Sequence, residues 1–323
     1  MNNIFLKHIS EGKLQGYFEI PKVIETTQSF VFLFDGLQKV LKVYKRDNDY
    51  WNNNFYDLSA GATRIDFITQ DFEWNNYFNP AVYEELAQIG SDFKLVRHDG
   101  TSDELVIVMK LIETGDFIVP LLIGGKLSQG DFFNIGKQFA DLKRGFRKHM
   151  VSTDYAELLK MRCDDLVTWM KITPVFTDKE IDQLYKKLTQ YIFKNKSRLN
   201  DMQMHSIIDA HGENILYQDQ KVGSIDIFLP MERWRTGAGE LDLFRLGTDI
   251  YVLSGSESYA QYIHGVESVV ALDKIDEDFY LLYMTALMCC AEENLAQTNP
   301  ARKSVSERYV SAARTQLAGF PNV

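Results

Sequence analysis

The spacing of apolar residues changes along this chain, and that change limits what it can fold into. From about residue 15 to 45 the text alternates and is rich in β-formers, as in GYFEIPKVIE, SFVFLFDG and KVLKVYKRD, and Asp35-Gly36 between two apolar runs is a hairpin signal. From Ser128 onward the period becomes 3.6. SQGDFFNIGKQFADLKRGF, YAELLKMRCDDLVTWMKI and DKEIDQLYKKLTQYIFKNK carry apolar residues at helical spacing, the first and third behind plausible caps. Between these regions RIDFITQDFEWNNYF, residues 64–78, predicts a helix ended by Asn79-Pro80. DFKLVRHDG and SDELVIVMKLI predict strands on either side of the His98-Asp99-Gly100 turn. A strand pair within residues 207–230 interrupts the helical region, which continues through ELDLFRLGTDIYVLSG and ESYAQYIHGVESVV to a long helix from about Asp276 to Leu295. The tail after Thr298 has the weakest apolar pattern. The expected class is α+β, with a β-rich part over residues 1–112 and a larger helical part over 113–323 that holds an embedded β-hairpin.

With 323 residues, 45% of them hydrophobic, the chain can bury a sizeable core without staples. A net charge of −10 and a pI near 5.2 disfavour nucleic acid and anionic membrane as partners and bias encounter toward cations. Cys163, Cys289 and Cys290 are an odd set, two of them inside the apolar run LLYMTALMCCAEENL, which suggests reduced thiols in a cytoplasm. The N-terminus lacks the apolar stretch of a signal peptide, and no window approaches the ~18 apolar residues that span a bilayer. The run IGGKLSQG, residues 123–130, lacks the spacing of a phosphate-binding loop and reads as a linker with a helix cap.

The stretch IIDAHGENILYQDQKVGSIDIFLP sets Asp209 and Asp226 at the edges of apolar, strand-like sequence. A carboxylate buried without a partner costs several kcal/mol, so Asp226 in such a place points to pairing or metal ligation. Asp209, Asn214 and Asp226 have the order that phosphoryl transfer uses: one carboxylate for the hydroxyl proton, then an amide oxygen and a second carboxylate for metal. The blander reading of Asp209 is a surface turn acid, and that of His211 is a ring packed within the loop, since no other histidine stands at zinc spacing from it.

In Asp209-Ala210-His211-Gly212-Glu213-Asn214 the chain resembles the catalytic loop of the aminoglycoside phosphotransferase-like kinases, which have the protein-kinase-like fold. Ser224-Ile225-Asp226 resembles their metal-binding segment, and Arg233-Trp234 with Leu241-Asp242-Leu243 the stretch behind it, where an aspartate supports the loop. Upstream, the segment from Thr27 to Leu33 resembles the strand and turn that cover the phosphates, and Val40 to Lys45 the strand whose lysine meets them. Lys42 is the choice for that lysine. Lys39 and Lys45 lie on the other strand face and are its competitors. Asn75, Pro80 and Tyr83 put Asp71 at the position of the lysine's acidic partner, with Glu73 as the alternative if the register slips.

Leu105 to Ile112, followed by Glu113-Thr114-Gly115-Asp116, resembles the last strand of the small lobe and the adenine-binding hinge. The resemblance thus implies a two-lobed fold with ATP and Mg2+ in the cleft. It implies nucleotide contacts from Lys42, Asp71 or Glu73, Ser29, Met109 and Leu111, metal ligation by Asn214 and Asp226, and Asp209 as base toward a hydroxyl of an aminoglycoside, sugar or amino alcohol. Three positions depart from the pattern. Ile207-Ile208 stand where relatives carry His-Gly, Leu229 replaces an acid, and Lys143 replaces a histidine at the end of the first large-lobe helix. The departures keep two further readings in play: a degenerate kinase-like binding or regulatory module, and a kinase acting on a protein side chain.

Overall fold

The computed structural model describes residues 3–26, 28–54, 57–59, 61–90, 92–112, 116–145, 154–202, 204–229 and 234–320. It divides into two compact units, Met1–Thr114 with Gly223–Met231, and Gly115–Val222 with Glu232–Val323.

The first unit runs α1 (Asn3–Ser10), β1 (Lys22–Glu25), β2 (Ser29–Phe34), β3 (Lys39–Tyr44), α2 (Asp49–Asn54), α3 (Gly61–Phe78), β4 (Tyr83–Ile89), β5 (Leu95–Arg97) and β6 (Leu105–Lys110). Its strands form one antiparallel sheet in the order β1-β2-β3-β6-β4-β5. Alternation assigns β3 two buried faces. Leu41 and Val43 join Phe32, Phe34, Ala87, Val106 and Val108 beneath Phe5 and Ile9 of α1, while Lys42 and Tyr44 point to α3. The hairpin expected at Asp35-Gly36 links β2 to β3. The strands flanking the His98 turn both form, yet they are not neighbours, because β4 lies between them. Nothing in YEELAQI announces a strand. Its glutamates favour helix, and pairing with β6 and β5 overrides that preference.

The segment Gly223–Met231 belongs to this unit through its side chains. Phe228 packs edge-on against Phe67 and Trp74 of α3, with ring centroids 5.1 and 5.3 Å apart, and Ile227 is wholly buried.

The second unit runs α4 (Ile118–Ile123), α5 (Gln129–Gly145), α6 (Tyr155–Ile172), α7 (Asp178–Lys194), α8 (Lys196–Asn200), β7 (Met204–Ser206) and β8 (Ile215–Gln218), which turns into β9 (Lys221–Ser224) at the boundary. It continues with β10 (Thr236–Ala238), α9 (Glu240–Ser254), α10 (Ser256–Glu267), α11 (Lys274–Thr298) and α12 (Lys303–Gly319). Both expected caps are present: Ser128 exchanges hydrogen bonds with Asp131, and Thr177 forms a capping box with Glu180. The β8–β9 hairpin turns on Asp219 and Gln220, both at positive φ, the backbone of a two-residue turn. The strand before Asp209 pairs elsewhere, β7 lying antiparallel to β10.

The tail departs from expectation, since α12 is a seventeen-residue helix packed on α11. Its buried stripe is Ser306, Tyr309, Ala313 and Leu317, at helical spacing but small or polar in part, so hydropathy does not reveal it. No described helix is long and apolar enough to cross a membrane.

Helices α5 and α10 touch backbone to backbone. A Cβ built on Gly136 would overlap the Tyr262 carbonyl oxygen, and one on Gly265 the Phe133 carbonyl oxygen. Gly265→Ala should therefore cost about 2–3 kcal/mol or more, whereas Gly130→Ala, where the added methyl meets only Ser128 Oγ at 3.8 Å, should be neutral or slightly stabilising. Urea denaturation of both variants checks this, and equal midpoints would remove the close crossing as a constraint.

Candidate functional site

In the first unit the chemistry gathers around one buried ammonium. Lys42, only 8% exposed at its side chain, lies 3.2 Å from Asp71 Oδ2 and also hydrogen-bonds Asp226 Oδ1. Tyr44 donates to Asp71 Oδ2 at 2.8 Å, and Asn75 donates to Asp71 Oδ1 at 2.7 Å. Burial alone would push the Lys42 ammonium down. The Asp226 and Asp71 carboxylates more than offset it and hold the ammonium protonated, well above the ordinary lysine range. Asp226 stands in the left-handed region at φ +53, a conformation that costs a non-glycine residue on the order of 1–2 kcal/mol and that aspartate tolerates better than most. Two donated bonds fix it there. Its own N–H donates to the Tyr83 hydroxyl at 2.9 Å, and the next N–H, of Ile227, donates to Asn75 Oδ1 at 2.9 Å. Asn75 therefore ties the lysine's acidic partner to the loop that carries Asp226.

The sequence alternatives separate by position. Glu73 is exposed, two residues round the helix from Asp71. Lys39 pairs with Glu84 and Lys45 with Glu25, both away from Asp71. Ser29 is buried at the start of β2, its hydroxyl 2.9 Å from that of Thr26, while Thr27 lies outside the described residues. Met109 is buried opposite Val40 and Tyr83, and the Leu111 N–H donates to the Gln38 carbonyl at 3.0 Å. Of the hinge, Glu113-Thr114-Gly115 lie outside the described residues, as does Arg233.

In the second unit the loop from Ile207 to Asn214 lies along one face of α9. Asp242, Arg245 and Asp249, at spacings of three and four, meet it at three points. Asp242 accepts the Ile208 N–H at 3.1 Å, Arg245 pairs with Asp209, and Asp249 accepts the Gly212 N–H at 2.5 Å. Asp242 is itself neutralised by Lys143 at 2.5 Å, and Lys143 also donates to the Ser206 carbonyl at 2.8 Å. Lys143 thus fixes the entry to the loop. Because that anchor acts on main chain, Ile207 and Ile208 are free to bury their side chains. Within the loop the Asn214 amide donates to the Asp209 carbonyl at 3.1 Å, and His211 Nε2 stands 3.9 Å from Asp209 Oδ1.

The C-terminal helix and the residue before it support the same loop, one through α9 and one directly. Tyr309 donates to Asp249, and Arg302 pairs with Glu213 of the loop as well as with Glu292 at 2.5 Å. None of Arg245, Asp249, Arg302 and Tyr309 is singled out by sequence reading. The available signal was the spacing of Asp242, Arg245 and Asp249 along one face of a largely apolar helix.

Magnesium uses oxygen donors, commonly one or two carboxylates completed by phosphate oxygens and water. Asp226, with its side chain 45% exposed, and Asn214, whose amide nitrogen is turned to the Asp209 carbonyl, are donors of that kind. Among the described residues no group of three or more His, Cys, Asp and Glu side chains is arranged to hold a metal by itself.

Solved structures similar to this chain include small-molecule kinases. The aminoglycoside phosphotransferase APH(2'')-Ib, ADP-bound, is 14% identical with a TM-score of 0.51, covering 99% of each chain. An APH(2'') enzyme solved with GDP and kanamycin is 10% identical with a TM-score of 0.57, over 97% of this chain and 99% of that one. A choline/ethanolamine kinase family protein from Mesorhizobium loti is 14% identical with a TM-score of 0.52, over 97% and 99%. The chain therefore has the α+β, protein-kinase-like fold of these enzymes. No protein-family model matches it, and no curated protein matches it in sequence.

Removing a partner from a buried ion pair leaves an uncompensated charge. Asp71→Ala should cost about 3 kcal/mol or more, and Glu73→Ala less than about 1 kcal/mol, as read from urea midpoints. For Asp249, burial raises the carboxyl from 3.8 to about 6. The native state then keeps its proton while the unfolded chain releases it, so stability should fall as pH rises from about 4 to about 6, by roughly 3 kcal/mol at most. Asp249→Asn should abolish that component. Parallel stability curves for variant and wild type from pH 4 to 7 would rule Asp249 out as its source.

Proposed function

We propose that the chain is an ATP-dependent phosphotransferase that moves the γ-phosphoryl group to a hydroxyl of a small molecule. The observation that carries this reading is the buried Lys42–Asp71 pair with Asp226 on the same ammonium, in a fold shared with nucleotide-bound kinases. Lys42 pairs the nucleotide phosphates while Asp71, in preference to the exposed Glu73, holds it in place. Ser29 at the start of β2, Met109 on β6 and Leu111 just after β6 contribute further nucleotide contacts. Asp226 and Asn214 would hold Mg2+, which when bound would offset the negative charge of the phosphates. Asp209 accepts the proton of the acceptor hydroxyl, and its anchoring to α9 keeps it positioned for that task. Three buried free thiols support a reducing, cytoplasmic setting.

A ligand that binds only the native state raises the melting temperature. Millimolar Mg-ATP should stabilise the wild-type protein, and Asp226→Ala should lose most of that magnesium-dependent shift. Asp209→Asn should keep it while phosphoryl transfer falls by about 100-fold or more. Wild-type turnover in Asp209→Asn would remove that residue as base. Absence of any Mg-ATP shift in the wild type would sink the reading as a whole, leaving a kinase-like binding module.

A further inference from the structure

The charges around Asp209 bear on the acceptor, given the function proposed above. Among the described residues, three carboxylates near Asp209 are engaged: Glu213 by Arg302, Asp242 by Lys143, and Asp249 by the Gly212 N–H and the Tyr309 hydroxyl, with its carboxyl raised to about 6. A cationic acceptor would find none of these three carboxylates unoccupied. The charge beside Asp209 is instead positive. Arg245 pairs with Asp209 through Nη2, and the pair reaches solvent, with side chains 17% and 25% exposed. A guanidinium presents five N–H donors in a planar fork. Here Nε is shielded from solvent and meets no acceptor among the described residues. The Tyr283 hydroxyl, wholly buried and likewise without a partner among the described residues, is under the influence of the Arg245 and Arg162 guanidiniums.

We infer that the acceptor carries an acidic group, a carboxylate or a phosphate, close to the hydroxyl that is phosphorylated, and that Arg245 binds it. An acidic group docking on the exposed part of the Arg245–Asp209 pair would share the guanidinium with Asp209 through charge-assisted hydrogen bonds. The acidic composition of the whole chain favours encounter with cations. At contact distance the positive group beside Asp209 is Arg245, and it favours the opposite sign.

The test compares acceptors of matched size and different charge by thermal shift on the full-length protein, with sodium chloride at equal ionic strength as baseline. Gluconate and glycerol phosphate at roughly 10 mM should raise the melting temperature by about 2 °C or more, and the stronger of the two identifies the acidic group. Glycerol, choline, glucosamine and kanamycin should give no shift. Arg245→Gln should abolish the anion response while keeping the Mg-ATP shift, and Arg245→Lys should restore only part of it, because a lysine keeps the charge without the fork. Stabilisation by choline, glucosamine or kanamycin, no response to either anion, or an undiminished anion response in Arg245→Gln would each overturn the inference. The Mg-ATP shift of the wild type reads the proposed function separately, so the two can fail independently.

Discussion

Burying charge is the constraint on which this structure depends. An ammonium or carboxylate taken out of water must find a partner or give up its charge, and here the partners are what fix the geometry. Lys42 on β3 obliges α3 to present Asp71 and obliges the segment after β9 to present Asp226. Asp242 does the same in the second unit, drawing Lys143 from α5 and the Ile208 N–H into one cluster. In both units a strand or helix supplies the rigid element and a single buried charge sets the register of the loop beside it.

The loop around Asp209 shows how one job can be done by different atoms. A histidine ahead of the aspartate would brace the loop with a side chain. Here the brace is a main-chain N–H held by Asp242, with Lys143 behind it, so apolar residues can occupy positions 207 and 208 and extend the core. Tyr309 and Arg302 add a second support from the far end of the chain, which makes α12 part of the site's scaffold.

The β-rich first part and the helical second part were legible because each rests on local periodicity, and the pairing of Lys42 with Asp71 because strand alternation and the spacing to Asn75, Pro80 and Tyr83 pointed to it. β4 was not, since YEELAQI becomes a strand only by pairing with β6 and β5. Nor was α12, whose buried stripe of Ser306, Tyr309, Ala313 and Leu317 carries little hydropathy. Arg245 and Asp249 were hidden for a different reason. A charge inside an apolar helix announces that something will meet it, but not what, and the partner of Asp249 lies sixty residues away.

The first unit is not continuous in sequence. Its last piece, Gly223–Met231, follows more than a hundred residues of the second. A ribosome that has released residues 1–114 has therefore made a sheet and helix that still lack Phe228 between Phe67 and Trp74, and Asn75 lacks the Ile227 N–H that its Oδ1 accepts. Residues 1–114 alone lack the Phe228 ring that packs on Phe67 and Trp74 and one of the two carboxylates that meet Lys42. The unit closes only after the loop bearing Asp209 has also been synthesised, so completion of the sheet region and arrival of the chemistry are coupled in time. Cutting the chain at the apparent boundary near residue 114 would yield an unfinished core.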